Sequence, residues 1–177
     1  MQSIQKLRAS IPKETKRFIK FLFVGSFGFA VDFGTFNLFH KLGVGVWIAA
    51  HFFPAIQAYF VDYPKVIEQA CSFVLAVSSN FTWNYFWIYP EARGSDPARK
   101  MLKFFIVSVA SLLIGTPVYI IALYFIKPIV TGLGLDGLLP IDLAANLALI
   151  CRVAALLFWN FFVNRKWTYG EIPVNKQ

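Results

Sequence analysis

The chain has 177 residues, of which 58% are hydrophobic, 18% aromatic and only 15% charged, with a net charge of +8. Soluble domains run nearer 45–50% apolar and about 25% charged. A soluble core of this size could not hide so much apolar surface, so lipid is the solvent the composition calls for. One domain is all the length allows. With no soluble domain left over, the positive charge is no footprint for nucleic acid.

A spanning helix needs about 20 mostly apolar residues. The first such stretch is Phe18–Leu42, opening FIKFLFVGSFGFAV. It is too long for a signal peptide, and no small-x-small cleavage site follows, so it reads as a helix. Inside it Asp32 shares a face with Gly25, Gly28 and nearly Thr35. Small residues there let a neighbouring helix approach closely. Residues 43–64 hold an apolar, aromatic run broken by Pro54. It is too short and interrupted to span, and reads as an interfacial or re-entrant segment. Were it to span, the helix count would be five and the C-terminus would move outside.

The second helix runs from about Val66 to Tyr89 and ends at Pro90. Glu68 near its start suits the helix dipole. Asn80, Asn84 and Trp87 follow at i, i+4, i+7, on one face. Residues 90–100, PEARGSDPARK, form a short charged turn. The third helix spans about Met101–Ile126 and ends at Lys127-Pro128, with a kink expected at Gly115 and Pro117. Residues 127–142, rich in Gly and Pro, read as a loop. The fourth helix, about Leu143–Trp167, carries Arg152 in its interior and Asn160, Asn164, Arg165 and Lys166 toward its end.

Cys71 and Cys151 lie in apolar runs and act as small hydrophobes. His40 and His51 are isolated, interfacial or packed histidines. Neither CxxC nor HExxH occurs, so no metal and no cofactor is expected. No nucleophile–base arrangement marks an enzyme. Thirteen basic residues fall on one side of this four-helix layout, in the N-terminal segment, around Arg93–Lys103 and at Arg165, Lys166 and Lys176. Only Lys41, Lys65 and Lys127 fall on the other. The positive-inside rule therefore places both termini and the middle loop in the cytoplasm, facing anionic membrane lipids.

The chain also repeats. Asn80-Phe81-x-x-Asn84-x-x-Trp87-x-Tyr89 recurs as Asn160-Phe161-x-x-Asn164-x-x-Trp167-x-Tyr169, with Cys71 and Cys151 at the same offset. Phe18-Ile19-Lys20-Phe21-x-x-Val24 matches Met101-Leu102-Lys103-Phe104-x-x-Val107. The fold class is therefore an all-α integral membrane protein, four transmembrane helices as two tandem parallel helical-hairpin repeats. One membrane domain comprises hairpins at about 17–90 and 100–170, flanked by cytoplasmic tails 1–16 and 171–177. A pseudo-twofold along the membrane normal relates such repeats, an arrangement known in transporters.

RFIKFLFVGSFGFAVD, NFTWNYFWIY, KFFIVS and WNFFVNRKWTY together resemble the GtrA family of small membrane proteins, over roughly residues 17–90 and 100–170. Asn-Phe-x-x-Asn-Arg-Lys-Trp-Thr-Tyr is the most specific piece. Against the family pattern, residues 43–64 resemble an insertion, and Tyr85-Phe86 stand where the second hairpin has Arg165-Lys166. The resemblance implies a role in cell-surface polysaccharide synthesis in the cytoplasmic (inner) membrane. The implied substrate is a polyprenyl-phosphate-linked sugar, such as one on undecaprenyl phosphate, and the implied activity is translocation by a flippase.

Physical arguments then pick out candidate residues. Asp32 and Arg152 lie about 22 and 25 Å from the cytoplasmic end at 1.5 Å per residue. A charge at that depth is costly. The two read as a buried ion pair, as a polar site that a sugar or phosphate enters, or as charges that do not meet. Asn80, Asn84, Asn160 and Asn164 either fix helix packing or line a cytoplasm-facing vestibule. Arg165 and Lys166 set topology or grip a lipid phosphate. The candidate substrate-binding set is thus Asp32, Asn80, Asn84, Arg152, Asn160, Asn164, Arg165 and Lys166. No nucleotide-binding GxxxxGK[ST] occurs, so transport would be downhill, or coupled to an ion or to consumption of the sugar outside. Two rivals remain: a non-transporting subunit of a membrane glycosyltransferase, and a small proton-coupled exporter. A homo-oligomer is compatible with the small size.

Overall fold

In a computed structural model the described residues are 12–54, 63–94, 96–135 and 142–170. They form helices and no strand. The chain divides into two compact units, Met1–Gly94 and Ser95–Gln177.

In the first unit, α1 runs Lys13–Leu42, five residues earlier than its apolar run starts. Gly43 ends it in the left-handed conformation (φ 66°), and its N–H returns to the His40 carbonyl at 3.2 Å. Only glycine adopts that φ without strain. The same residue opens α2, Val44–Phe52. With nine residues, α2 is too short to cross a bilayer. Residues 55–62, within the predicted interfacial segment, lie outside the described residues. Helix α3, Tyr63–Trp83, carries Pro64 at its start, where a missing N–H costs nothing. It continues into a π-helical turn, Asn84–Ile88, and after Tyr89 into a 3₁₀ turn, Pro90–Gly94. α1 packs along α3, and α2 packs against α3. The pairs Lys20–Trp87, Asp32–Ser72 and His40–Glu68 show that α1 and α3 run antiparallel.

In the second unit, α4 runs Pro97–Gly132. Asp96 caps it, accepting from Ala98 N at 2.9 Å and Arg99 N at 3.3 Å. The predicted 90–100 turn therefore already contains the first helical residues. At the other end the helix does not stop at Lys127-Pro128. It passes through Pro117 and Pro128 to Gly132. Each proline removes one backbone hydrogen bond, and the remaining ladder is long enough to carry the helix past it. Helix α5, Leu143–Val163, starts on the Asp142 cap to Ala145 N at 2.9 Å and ends in a second π-helical turn, Asn164–Thr168. α5 packs antiparallel on α4, as Lys100–Thr168 and Ser111–Asn160 show.

The surface is apolar and much of what is polar lies inside. Leu113 is 74% and Tyr124 75% exposed, whereas Glu68, Ser72, Asn84, Lys100, Asn164 and Thr168 are buried. That inversion is what a hydrocarbon solvent demands and water does not tolerate. Among the described residues three helices are long and apolar enough to cross a membrane: Lys13–Leu42, Pro97–Gly132 and Leu143–Thr168. α3 falls short of that hydropathy because Lys65, Glu68, Gln69, Ser72, Ser78, Ser79, Asn80 and Thr82 dilute it.

Candidate functional site

Both units close on the same device where the second helix ends. Five-residue π turns leave carbonyls that the helix ladder does not satisfy. In the first unit Lys20 Nζ donates to the Trp87 carbonyl at 3.3 Å and sits 5.1 Å from the Trp87 ring centroid. Arg17 lies over the Tyr89 ring and pairs with Glu91 and Glu14. In the second unit Lys103 Nζ donates to the Trp167 carbonyl at 3.3 Å and lies over that ring. Lys100, only 4% exposed, donates to the Thr168 carbonyl at 3.0 Å and lies over the Tyr169 ring. A cation thus answers a helix C-terminus and an aromatic face at once.

One or two turns deeper come the asparagines. Asn84 and Asn164 are both 1% exposed. Asn84 Nδ2 donates to the Asn80 carbonyl at 2.7 Å, and Asn164 Oδ1 accepts from the Thr168 hydroxyl at 2.9 Å. Both therefore belong to the turns that contain them. Asn80 packs its amide against Gly28, where any Cβ would collide with it, and its buried Oδ1 has no hydrogen-bond partner among the described residues. At the matching place in the second unit Ser111 replaces the glycine, and its hydroxyl donates to Asn160 Oδ1 at 3.0 Å.

Deeper still, the units part company. Asp32 accepts from the Ser72 hydroxyl at 2.6 Å and from Gln69 Nε2 at 3.4 Å. By the repeat offset, Gly115 and Arg152 occupy the places of Asp32 and Ser72 in the second unit. A Cβ on Gly115 would lie 2.8 Å from Arg152 Nε, so the missing side chain is what seats the guanidinium. Arg152 is half-buried and lines a cavity of about 270 Å³ with Tyr119, Ala145, Asn146 and Leu149. Among the described residues of its own unit it has no ion-pair partner.

At the far end of the first unit, Glu68 is 1% exposed. His40 Nδ1 lies 2.9 Å from one carboxylate oxygen, and Gly45 N donates to the other at 3.2 Å. The matching residue in the second unit is Ala148, fully buried.

The family of proteins described as the GtrA/DPMS transmembrane domain matches residues 20–169. The chain belongs to this family. The match takes in both π turns, both asparagine pairs, Asp32 and Arg152. Over 111 residues the chain is also 29% identical to a dolichol-phosphate mannosyltransferase of Pyrococcus furiosus, covering 63% of this chain and 26% of that protein. It thus spans about a quarter of that relative's length.

For this family member, the eight candidate residues divide by surroundings. Asn84 and Asn164 are turned inward and used by their own turns. Asn80 and Asn160 face the first helix of their own hairpin, and Asp32 the second. Arg152 lines its cavity, Arg165 is half-buried and Lys166 is exposed. Sequence reasoning misses the clasp formed by Arg17, Lys20, Lys100 and Lys103, which it counts only as topology charges. The signal is present: basic residues three apart precede each hairpin at the same repeat offset. It also leaves Glu68 and His40 apart, since no local spacing links residues 28 positions distant.

Proposed function

We propose that the chain is a non-catalytic translocase that moves a polyprenyl-phosphate-linked sugar across the cytoplasmic membrane for cell-surface glycan assembly. The observation that carries this reading is Arg152, a half-buried guanidinium that lines a cavity of about 270 Å³ midway along an apolar helix and has no ion-pair partner among the described residues of its own unit. A charge at the bilayer centre costs roughly 2.5–3.5 kcal/mol on insertion scales. Such a charge is retained where an anion meets it. A guanidinium presents a planar fork that matches phosphate oxygens. The prenyl tail stays in lipid, so the protein need only guide the head across about 30 Å of hydrocarbon. Within the second unit Lys166 and Arg165 would capture the phosphate at the inner headgroup level and Asn160 would meet a sugar hydroxyl; within the first, Asp32 and Asn80 offer hydroxyl partners of the same kind. Transport would run downhill or be drawn by consumption of the sugar outside.

In this reading α3 with its turn is the fourth span, twenty-six residues from Tyr63 to Ile88. The two hairpins are then tandem parallel repeats, and both termini are cytoplasmic. Its hydropathy deficit is offset by polar groups that bond inside the first unit, Glu68 and Ser72 among them. Reporter fusions near Arg93 and at the C-terminus should behave as cytoplasmic, and one at Gly134 as external. A C-terminus outside the cell would overturn the four-span arrangement.

The transport test uses the purified chain in liposomes loaded with a polyprenyl-phosphate sugar, with a membrane-impermeant reagent outside. Wild type should expose the inner-leaflet sugar, and Arg152→Gln should slow exposure at least tenfold, about 1.4 kcal/mol. Arg152→Lys should retain part of the rate. Exposure no faster than in empty liposomes would sink the reading. The second reading, a non-transporting subunit of a membrane glycosyltransferase, is favoured by one finding: the matched region is 26% of a longer mannosyltransferase. Co-purification with such an enzyme, without sugar movement in liposomes, would select it.

A further inference from the structure

On one side of the first unit a cavity of about 230 Å³ is lined wholly by apolar groups: Phe23, Val24, Phe27, Trp83 and Trp87. Its aromatic rings are fixed edge to face. Phe23 meets Trp87 at 6.0 Å, Phe27 meets Trp83 at 6.1 Å, and the two tryptophans meet at 6.3 Å. Lys20 stands at one end. It lies on the same α1 stripe as Phe23, Val24 and Phe27, at i, i+3, i+4, i+7. Of its three ammonium donors one goes to the Trp87 carbonyl. The groove is therefore amphiphilic along its length of about 10 Å from Lys20 to Phe27 at 1.5 Å per residue, a cation and then about 6 Å of aromatic wall.

Hairpin packing does not require that wall. The second unit keeps the lysine and the tryptophan of the clasp, as Lys103 and Trp167. At the positions matching Phe23, Phe27 and Trp83 it has Ile106, Ala110 and Val163. The same α-helical pair thus closes with aliphatic and small residues. A wall that merely faced lipid would need no interlocked rings either, since lipid tails accept leucine or isoleucine as readily.

We infer that this groove is the seat of a prenyl phosphate, with the phosphate at Lys20 and the first isoprene units against the four rings. The inference rests on the proposed function and adds the place where the tail is read. Ring faces carry partial negative charge and prefer C–H edges. The methyl branches and planar double bonds of a prenyl chain present such edges in a fixed arrangement. A straight saturated acyl chain has more rotors to immobilise and loses more entropy on being ordered. Lys20 supplies attraction for any phosphate, while the rings supply the preference for the branched tail.

The test compares binding of a polyprenyl phosphate and of a dialkyl phosphatidic acid to the purified chain in phosphatidylcholine nanodiscs, read by native mass spectrometry. Wild type should favour the polyprenyl phosphate at least tenfold. Rewriting the wall with the second unit's residues, Phe23→Ile with Phe27→Ala and Trp83→Val, should remove that preference. Lys20→Gln should weaken both lipids and keep the ratio. Because the triple change can loosen the hairpin, Phe27→Ala alone serves as a second probe and should narrow the ratio without lowering thermal stability beyond an ordinary surface change. Equal binding of the two lipids by wild type, or a preference that survives the triple change, would overturn the inference. Failure of transport with the preference intact would leave the groove standing and remove the translocase reading alone.

Discussion

At the end that carries Trp-x-Tyr, the two hairpins are built alike. Arg17 and Lys20 in one, Lys100 and Lys103 in the other, cover a π turn and its aromatic rings from the facing helix. Away from that end they differ residue by residue. Asp32 stands where the other unit has Gly115, Ser72 where it has Arg152, Glu68 where it has Ala148, and Phe27 where it has Ala110. The comparison separates what a hairpin of this kind needs from what each copy has taken on. The clasp is common and is the part that closes the structure. An acid with its hydroxyl partner, a buried carboxylate and an aromatic groove belong to the first unit. A guanidinium in a cavity belongs to the second.

The largest effect expected is at Gly45, a feature with no counterpart among the described residues of the second unit. A Cβ there would run into the Pro64 carbonyl and approach Glu68 Cγ to 2.7 Å. The carbonyl is backbone and has little freedom to retreat. Gly45→Ala should therefore cost about 3 kcal/mol, the upper part of the usual range for overpacking, seen as a lowered midpoint of thermal unfolding in detergent. Gly34→Ala, in the same unit, meets nothing within 4 Å and sits in a helix interior. It should be neutral or gain up to about 1 kcal/mol from helix propensity. If Gly45→Ala were as harmless as Gly34→Ala, α2 would not be clamped by Glu68 and the end of the first unit away from Trp-x-Tyr would lose its distinguishing feature.

Much of this architecture is legible in the amino-acid sequence. Apolar runs locate the helices, and α1 stops and α5 starts where the hydropathy says they should, at Leu42 and Leu143. The repeat predicts which residues correspond. Three things escape such a reading. Pro128 reads as a terminator locally, yet α4 continues to Gly132 because one missing bond does not break a helix that has run unbroken from Pro97. Lys20 and Lys103 read as topology charges because their partners are backbone carbonyls, which leave no mark in a sequence. Glu68 and His40 meet only when α1 and α3 pack, so helical periodicity within either one is silent about them.

The smallest effect, and the one that tests the shared part of the comparison, concerns the clasp lysines. Lys100 is 4% exposed, and its ammonium satisfies a carbonyl at the end of the helix. Lys100→Met keeps the stem's packing and removes that donor. Two terms then compete. Leaving a buried acceptor unanswered costs about 1–3 kcal/mol, while removing a buried ammonium recovers its desolvation penalty. The ammonium already has a carbonyl and the Tyr169 ring, so most of that penalty is compensated in place. The loss should win, with a net destabilisation of about 2 kcal/mol. Lys20→Met and Lys103→Met remove the same kind of bond at half-buried positions, where water or a lipid headgroup can replace the donor. Each should cost about 0.5 kcal/mol, near the low end for a net hydrogen bond, and the two should agree because their geometry agrees. Thermal unfolding of the three variants decides it. A Lys100→Met protein more stable than wild type would mean that desolvation outweighs the bond. Unequal losses at Lys20 and Lys103 would mean that the two hairpins, despite matching distances, do not share one closing device.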